Sequence, residues 1–267
     1  AVPYGLRGLL GARLILRTGE NDAHSGVTGG AARNPLAELM EVANSCVEAR
    51  TGRVKIPGFY DDVVKPTTTE IKDFLKSGFE VERFKKAYGF RSLRVQDPAD
   101  VMRRIWASPT FEIHGLSGGY HGQGVKTVVP GHAELKVSMR LVPDQVPERV
   151  FALLKKHVAK VNPDVKVEKE GMLHPFKGSF EGSYVDCVKR AVKAGFGKDP
   201  AFVREGGSIG AVVTMQKTWQ VPILFIGLSL PEHGYHAPNE YYDWGQASGG
   251  MKTFAHYFSE LAKIGKA

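Results

Sequence analysis

The sequence predicts two parts of different fold class, an α+β part over residues 1–174 and the C-terminal end of an α/β sheet over residues 175–267. Two observations support this division. Segments typical of antiparallel strands are mixed with helices in the first part, whereas helix and strand alternate in the second. The run VPILFIGLSL, residues 221–230, is almost continuously apolar, as is usual for a strand buried on both faces. Because the alternating pattern lacks its beginning, we expect the first strands of that sheet to lie outside this chain.

Periodicity predicts the elements of the first part. Apolar residues recur at every second position near residues 7–18, which predicts a strand. Pro35 begins a helix. One face of that helix carries Leu36, Leu39, Met40, Ala43 and Val47. The further predicted elements are helices in TTTEIKDFLKSG, EVERFKKAYG and DPADVMRRIWAS, strands in TFEIHGLSG and KTVVPGHAELKVSMRLVP, a helix in VPERVFALLKKHVAKV and a strand in VKVEKEGM.

The second part begins with a helix and then alternates. Its predicted elements are a helix in SYVDCVKRAVKAGF, a strand in PAFVRE, a helix in SIGAVVTMQKTW, the strand VPILFIGLSL and a last helix over residues 242–263. The boundary between the two predicted domains therefore falls between residues 174 and 175.

Composition excludes several classes of protein. Hydrophobic residues make up 42% of the chain and charged residues 24%, so the chain can bury a core. The net charge of +8 comes from scattered basic residues without an aromatic-rich basic box, and we therefore expect no nucleic-acid partner. No apolar run reaches the roughly 18 residues of a membrane helix. We expect a cytoplasmic protein by default, in which Cys46 and Cys187 are buried thiols.

Four loops carry residues suited to chemistry. They are DAHSGVTGG, GLSGGYHGQGVKTVVP, REGGSIG and HGYHAPNEYYDW. Two of them follow predicted strands of the α/β part, and ligands of open α/β sheets bind at the carboxyl ends of strands. Each loop also has a simpler explanation, because loop histidines are usually surface residues and glycines usually serve turns.

Single motifs suggest two alternative functions, phosphate binding and serine hydrolysis. The glycines of GGYHGQG do not precede a helix, which excludes a phosphate-binding loop. Gly206-Gly207-Ser208-Ile209-Gly210 fits the nucleophile elbow of a serine hydrolase. The acid required between the serine and a histidine could only be Glu232, four residues before His236. That spacing suits a catalytic triad poorly.

Taken together and in this order, five motifs resemble the carnosine dipeptidase branch of the aminoacylase/carboxypeptidase-like metallopeptidase family. They are DAHSGVTGG, GVKTVVP, SMRLVPDQVPE, REGGSIG and GYHAPNE, and they cover the chain from Tyr4 onward. The resemblance implies that residues 1–174 form an α+β lid and dimerisation domain and residues 175–267 the C-terminal portion of a zinc-peptidase-like α/β catalytic domain. It also implies two divalent metal ions, zinc or manganese, and a homodimer that hydrolyses small peptides or acylamino acids.

The resemblance assigns roles to eight residues. His236 matches a metal ligand, and His24 matches a lid histidine that reaches the active site of the partner subunit, where it stabilises the oxyanion. The positions that match substrate-binding residues are Thr127, Arg140, His174, Glu205, Gly207 and Ser208. Among these, the Arg140 guanidinium is suited to grip a terminal carboxylate through two parallel hydrogen bonds.

The chain departs from the family pattern upstream of DAHSGVTGG. The other metal ligands of the family and its general-base glutamate precede the lid, and no His-x-Asp, Asp-Asp or Glu-Glu pair occurs there. The expectation is therefore that this chain binds the two metal ions incompletely and is inactive by itself. An alternative of a different class is a binding or dimerisation module without catalysis.

Overall fold

The computed structural model describes residues 1–264. In chain order, the strands are β1 (Val2–Leu6), β2 (Gly8–Arg17), β3 (Ala23–His24), β4 (Thr110–Gly118), β5 (Val128–Val129), β6 (His132–Leu141), β7 (Lys166–Leu173), β8 (Phe176–Lys177) and β9 (Phe202–Glu205). The helices are α1 (Ser25–Thr28), α2 (Pro35–Cys46), α3 (Thr68–Leu75), α4 (Val81–Tyr88), α5 (Pro98–Ala107), α6 (Pro147–Val161), α7 (Ser183–Phe196), α8 (Gly210–Trp219) and α9 (Trp244–Ile264), with a 3-10 turn at Pro231–His233.

The chain divides into two compact units that are discontinuous in sequence. Unit 1 comprises Ala1–Arg7, Lys65–Ser108 and the chain from Phe176, and unit 2 comprises Gly8–Val64 and Pro109–Pro175. This division differs from the predicted domains 1–174 and 175–267. The physical reason is that β1 pairs in parallel with β9, while α3 and α5 pack against β9, so these early segments join the C-terminal part.

Unit 2 is an antiparallel sheet covered by helices. Its strand order is β4-β6-β2-β7, and β2 and β6 pair without interruption from Gly8↔Leu141 to Arg17↔His132. Every second residue of β2 is buried, which confirms the strand expected near residues 7–18. Helices α2 and α6 pack on this sheet. The buried side chains form one continuous core.

Helix α2 begins where the sequence predicts. The Asn34 side-chain oxygen accepts hydrogen bonds from the backbone N–H groups of Leu36 (3.0 Å) and Ala37 (3.3 Å), and Pro35 occupies the first turn. Met40, expected on the buried face, is 54% exposed instead. Val42 is buried, because the face that contacts the sheet is rotated toward that residue.

Unit 1 contains the mixed sheet β8-β1-β9, in which β1 is antiparallel to β8 and parallel to β9. The buried strand expected over residues 221–230 is wrong, because this segment has no regular secondary structure and is partly exposed. A strand needs a hydrogen-bonded neighbour along its length, and in the described part of the chain no strand pairs with this segment. Phe225 packs against Phe176 of β8 instead, with ring centroids 5.8 Å apart.

A buried polar network ties α3 to this sheet. Both Glu70 and Arg204 are almost fully buried. The Glu70 carboxylate accepts hydrogen bonds from the Tyr4 hydroxyl (2.5 Å), from Arg204 Nη2 (2.5 Å) and Nε (3.2 Å), and from the Thr67 backbone N–H (2.8 Å). Because each buried charge has a charged or hydrogen-bonding partner, the network fixes β9 relative to α3.

Two further expectations concern the whole chain. Cys46 and Cys187 are both free thiols and both buried, which confirms the prediction from the sequence. Within residues 1–264, none of the helices combines the length and the apolar character needed to cross a membrane.

Candidate functional site

A short two-stranded ribbon holds His24 and Thr127 together in unit 2. His24 pairs with Val128, and the Ser25 backbone N–H donates to the Thr127 carbonyl at 2.9 Å. The exposed His24 ring caps α1, where its Nδ1 accepts from the Gly26 backbone N–H at 3.0 Å. Since Nδ1 is the acceptor, the proton of a neutral His24 ring resides on Nε2. The ribbon therefore presents a fixed imidazole whose Nε2–H can donate to a carbonyl oxygen.

Arg140 and His174 lie at the other end of the same sheet. Leu9 of β2 stands between Arg140 of β6 and Leu173 of β7, and His174 follows Leu173 directly. His174 Nε2 is 3.3 Å from Glu148 Oε1. The register thus places Arg140 and His174 at the same end of the sheet of unit 2.

The two pairs, His24 with Thr127 and Arg140 with His174, are separated along β6. His24 and Thr127 are attached at the end where β6 begins, because the Thr18 and Gly19 backbone N–H groups both donate to the Gly131 carbonyl. Arg140 lies eight residues beyond the first residue of β6, which corresponds to about 27 Å of extended strand. A dipeptide spans only about 7 Å when extended.

Glu205, Gly207 and Ser208 follow β9 in unit 1. The exposed Glu205 carboxylate accepts from the Gly206 backbone N–H at 2.8 Å. Gly207 is exposed, and Ser208 Oγ donates to the Arg7 carbonyl at 2.7 Å. Helix α8 starts two residues after Ser208, so the glycines and the serine form a compact loop between strand and helix.

This geometry disfavours the serine hydrolase. The Ser208 hydroxyl proton is directed to a backbone carbonyl, whereas a nucleophile must deliver it to a base. Glu232, the acid that a triad would require, is paired with Arg83 of α4. The helix expected to open at Ser208 begins instead at Gly210.

The loop after the 3-10 turn holds two histidines in different surroundings. His236 is exposed in a left-handed conformation (φ 58°), and its backbone N–H donates to Glu240 Oε2 at 3.3 Å. His233 is buried, with Nδ1 accepting from the Leu230 N–H at 3.0 Å and Nε2 donating to Asp243 Oδ2 at 2.8 Å. Both ring nitrogens of His233 are therefore used to shape the loop.

Asp243 completes this support. The Gln246 backbone N–H is the main cause that holds the pKa of the Asp243 carboxyl below its usual value, and the hydrogen bond from His233 adds to it. The loop that contains His233, His236 and Asp243 could be identified from the sequence. The sequence offers no reason, however, to separate a histidine that supports the loop from one that binds a metal ion. The hydrogen bonds of both His233 ring nitrogens identify that residue as a support of the loop.

The described residues do not fit a dinuclear metal centre by themselves. In residues 1–264, no group of three or more His, Cys, Asp or Glu side chains is placed so that it could hold a metal ion. His236 is thus not joined by a second and third protein ligand from this part of the chain. Zinc in proteins takes three or four protein ligands in known types of site.

Comparisons with known proteins identify the class. The family model described as Peptidase dimerisation domain matches residues 4–166. The fold and the loops thus define a protein of the peptidase class. Because the match covers more than half of the chain, the chain belongs to the M20 peptidase family, and the resemblance drawn from the five motifs is confirmed.

Individual relatives agree with this family. The chain is 33% identical over 267 residues to the Cys-Gly metallodipeptidase dug1 of Schizosaccharomyces pombe, covering 98% of this chain and 56% of the relative. It is 28% identical to the human Beta-Ala-His dipeptidase, covering 99% and 53%. Among solved structures, the M20 family metallo-carboxypeptidase Sso-CP2 from Sulfolobus solfataricus superposes with a TM-score of 0.90 at 31% identity, covering 98% of this chain and 60% of that one. The chain therefore spans little more than half the length of these relatives, and its mixed α/β fold is that of M20 peptidases.

Proposed function

We propose that this chain provides the lid and part of the substrate pocket of a metal-dependent hydrolase that cleaves dipeptides or related small amides. The names of the relatives support the reaction class, since they include a Cys-Gly metallodipeptidase and a Beta-Ala-His dipeptidase. The observation that carries the proposal is the placement of His24 and Thr127 at the opposite end of β6 from Arg140. One small substrate can contact both groups only if they come from two copies of the chain.

Each residue of the proposed site has a chemical task. The Arg140 guanidinium grips the terminal carboxylate of the peptide, with His174 at the same edge of the sheet. The His24 Nε2–H of a partner subunit donates to the scissile carbonyl oxygen and stabilises the negative charge that develops there. Glu205, Gly207 and Ser208 line the pocket beside the substrate.

The metal ions belong to the same proposal. His236 would hold one of two divalent ions, zinc or manganese, whose chemistry is to polarise the carbonyl and to activate a water molecule. The described residues offer no further ligand cluster at this position. We therefore propose that the 267-residue chain has no hydrolytic activity by itself.

That proposal is tested with the isolated chain. The chain is incubated with Zn²⁺ or Mn²⁺ and a Cys-Gly or β-Ala-His dipeptide, and release of free amino acid is followed, with the complete gene product assayed in parallel. We expect hydrolysis by the complete gene product alone. Metal-dependent turnover by the isolated chain, abolished by His236→Ala, would contradict the proposed inactivity.

The shared site is tested by complementation between two inactive variants of the complete gene product. His24→Ala and Arg140→Ala each remove one half of every site, and we expect each to lower kcat/KM at least about 100-fold without loss of bound metal. In a 1:1 mixture reassembled from subunits, heterodimers regain one intact site, so about a quarter of the wild-type activity returns.

The outcomes separate the possible arrangements. No recovery in the mixture, with dimers confirmed by sedimentation, would show that His24 and Arg140 serve the same subunit. Loss of metal in His24→Ala would show that His24 acts at the metal centre. Mixing His24→Ala with His24→Gln is the matched control, because these two variants share one defect and cannot restore a site.

A second candidate is a binding or dimerisation module without catalysis. The absence of a metal-ligand cluster in residues 1–264 favours it for the isolated chain. Dipeptide binding by calorimetry without hydrolysis by the complete gene product, with either metal, would support it. The cytoplasmic location and the choice between dipeptides and acylamino acids remain predictions of the sequence.

A further inference from the structure

Arg7 contacts the loop of residues 205–208 through three of its own groups. Its backbone N–H donates to the Glu205 carbonyl at 3.2 Å, and its Nε donates to the Gly206 carbonyl at 3.1 Å. Its carbonyl accepts from Ser208 Oγ at 2.7 Å. One residue thus makes hydrogen bonds along the whole loop that follows β9.

The guanidinium of Arg7 is itself anchored to the end of α5. Its Nη1 lies 3.3 Å from the Ser108 carbonyl and 3.5 Å from the Arg104 carbonyl. Carbonyl groups at the C-terminus of a helix carry partial negative charge and lack partners within the helix, so a cation is favoured there. Arg7 therefore connects the loop to a fixed point of unit 1.

The close approach of this anchor depends on Gly206. A Cβ at this position would lie 2.8 Å from the Ile105 carbonyl oxygen and 2.9 Å from Arg7 Nη2. The first of these neighbours is backbone, which cannot move aside as a flexible side chain can. Any larger residue would push the loop away from α5 and from the Arg7 guanidinium.

We propose that Arg7 is a positioning residue for substrate binding, because it fixes the loop of Glu205, Gly207 and Ser208 against α5. The proposal rests on the proposed function of that loop as a wall of the substrate pocket. Arg7 does not touch the reacting atoms. It acts through the loop, whose displacement weakens the binding of substrate and transition state equally and so raises KM without changing kcat.

The first arm of the test needs no catalysis. Hydrogen–deuterium exchange is measured on the peptide that covers residues 204–210 in the 267-residue chain and in its Arg7→Ala variant. Arg7→Ala keeps the two backbone hydrogen bonds but removes the side-chain bond to the Gly206 carbonyl and the anchor on α5. We expect at least about tenfold faster exchange in this peptide when these side-chain contacts are lost. Arg190→Ala is the matched control, because Arg190 belongs to the same unit but pairs with Glu260 of α9.

The second arm measures kinetics in the complete gene product. We expect Arg7→Ala to raise KM for a dipeptide about tenfold or more with kcat nearly unchanged, and Arg7→Lys to give an intermediate KM. Lysine keeps the cation at the end of α5 but cannot reach both α5 and the Gly206 carbonyl. Gly206→Ala should raise KM similarly with Arg7 intact, whereas Arg190→Ala should leave KM unchanged.

The two arms fail separately. Unchanged exchange in Arg7→Ala at an unchanged melting temperature overturns the positioning role, whatever the enzyme does. Faster exchange in a gene product that hydrolyses no dipeptide overturns the proposed function but leaves Arg7 as the support of the loop. Faster exchange with an unaltered KM, or an equal loss of kcat in Arg7→Lys and Arg7→Ala, contradicts the role in substrate binding.

Discussion

Glu70 is a carboxylate that remains charged although the protein surrounds it. Burial by itself raises its pKa, but hydrogen bonds from Tyr4, from the Thr67 backbone and from Arg204 outweigh burial and lower the pKa from 4.5 to about 2. A folded-state pKa below the unfolded value stabilises the folded state fully above about pH 4.5. That stabilisation is lost as the pH falls from about 4.5 through 2.

This linkage gives a prediction at the residue scale. Glu70→Gln leaves Arg204 buried without its anionic partner, and we expect the free energy of unfolding at pH 7 to fall by about 3 kcal/mol. The difference between wild type and variant should shrink between pH 4.5 and pH 2, because Glu70 takes up a proton in the unfolded wild-type chain while it is still ionised in the folded one.

Urea unfolding at pH 7 and pH 3 measures both effects. Glu82→Gln is the control, because the Glu82 side chain is 80% exposed and its ion pair with Lys85 is at the surface, so loss of the charge should change stability little at either pH. An equal Glu70→Gln difference at pH 7 and pH 3 would mean that the charge of Glu70 does not stabilise the fold.

The sequence could indicate some individual residues of the site and not others. His24 and His236 occur in loops whose composition is unusual, and five ordered motifs are specific. Arg7 has no such signal, because its partners Ser108 and Gly206 lie 101 and 199 residues away in the sequence. Hydrogen bonds to backbone carbonyls also impose no residue type on the partner. Such a support can be found only from the folded structure.

At the scale of elements, α7 and α9 pack closely through glycine. A Cβ on Gly195 of α7 would lie 2.5 Å from the Gly249 carbonyl oxygen of α9. The neighbouring Thr253 is fully buried, and its Oγ1 donates to that same carbonyl at 2.9 Å. The two helices therefore approach each other at a point where no side chain fits.

We expect Gly195→Ala to destabilise the protein by about 1–2 kcal/mol, because the overpacking outweighs the gain in helix propensity. Thermal unfolding followed by circular dichroism measures this change. Lys252→Ala is the control, because it introduces an alanine at an exposed position of α9. It should leave the melting temperature almost unchanged. A Gly195→Ala variant more stable than wild type would show that the helices can move apart without cost.

Most helices and strands could be predicted from the periodicity of apolar residues. The strands that could not be predicted correctly depend on a partner far away in the sequence. β1 contains Pro3 and Gly5 and shows no clear alternation, so only its pairing with β9, about 200 residues later, makes it a strand. The segment 221–230 has the composition of a buried strand but no ladder partner among residues 1–264. Local sequence predicts the tendency to be a strand, whereas the partner decides whether the strand forms.

At the scale of the whole molecule, each unit has its own hydrophobic core. Cys46 belongs to the core of unit 2, and Cys187 is buried in α7 of unit 1. Burial raises the pKa of the Cys46 thiol to about 11, which leaves little of the reactive thiolate at neutral pH. The two thiols are therefore natural reporters, one for each unit.

In the unfolded chain both thiols react with a disulfide reagent at pH 7.5. Within the same time we expect neither thiol of the folded protein to react. Mass spectrometry of proteolytic peptides after labelling in increasing urea then assigns unfolding to unit 1 or unit 2. The Cys46→Ser and Cys187→Ser variants identify each signal. Rapid labelling of either cysteine without urea would show that its unit opens under native conditions.

The division into units could be anticipated only in part. A linear division at residue 174 is the simplest prediction, since the sequence changes character there. Residues 65–108 form ordinary amphipathic helices, whose periodicity shows that one face is buried but not which sheet buries it. The packing of α3 and α5 against β9 is a long-range choice that no local pattern records.

The pairing of β2 with β6 restricts how natural variants of this fold can differ in length. Ten consecutive residue pairs match without a break, so inserting or deleting one residue in either strand would turn every following side chain to the wrong face. The irregularities of this sheet occur instead in its other pairings, at Gly11/Ala12 against β7 and at Ile113/Gly115 in β4. Evolution can therefore add or remove single residues at the outer strands β4 and β7, while the inner pair of strands keeps its length.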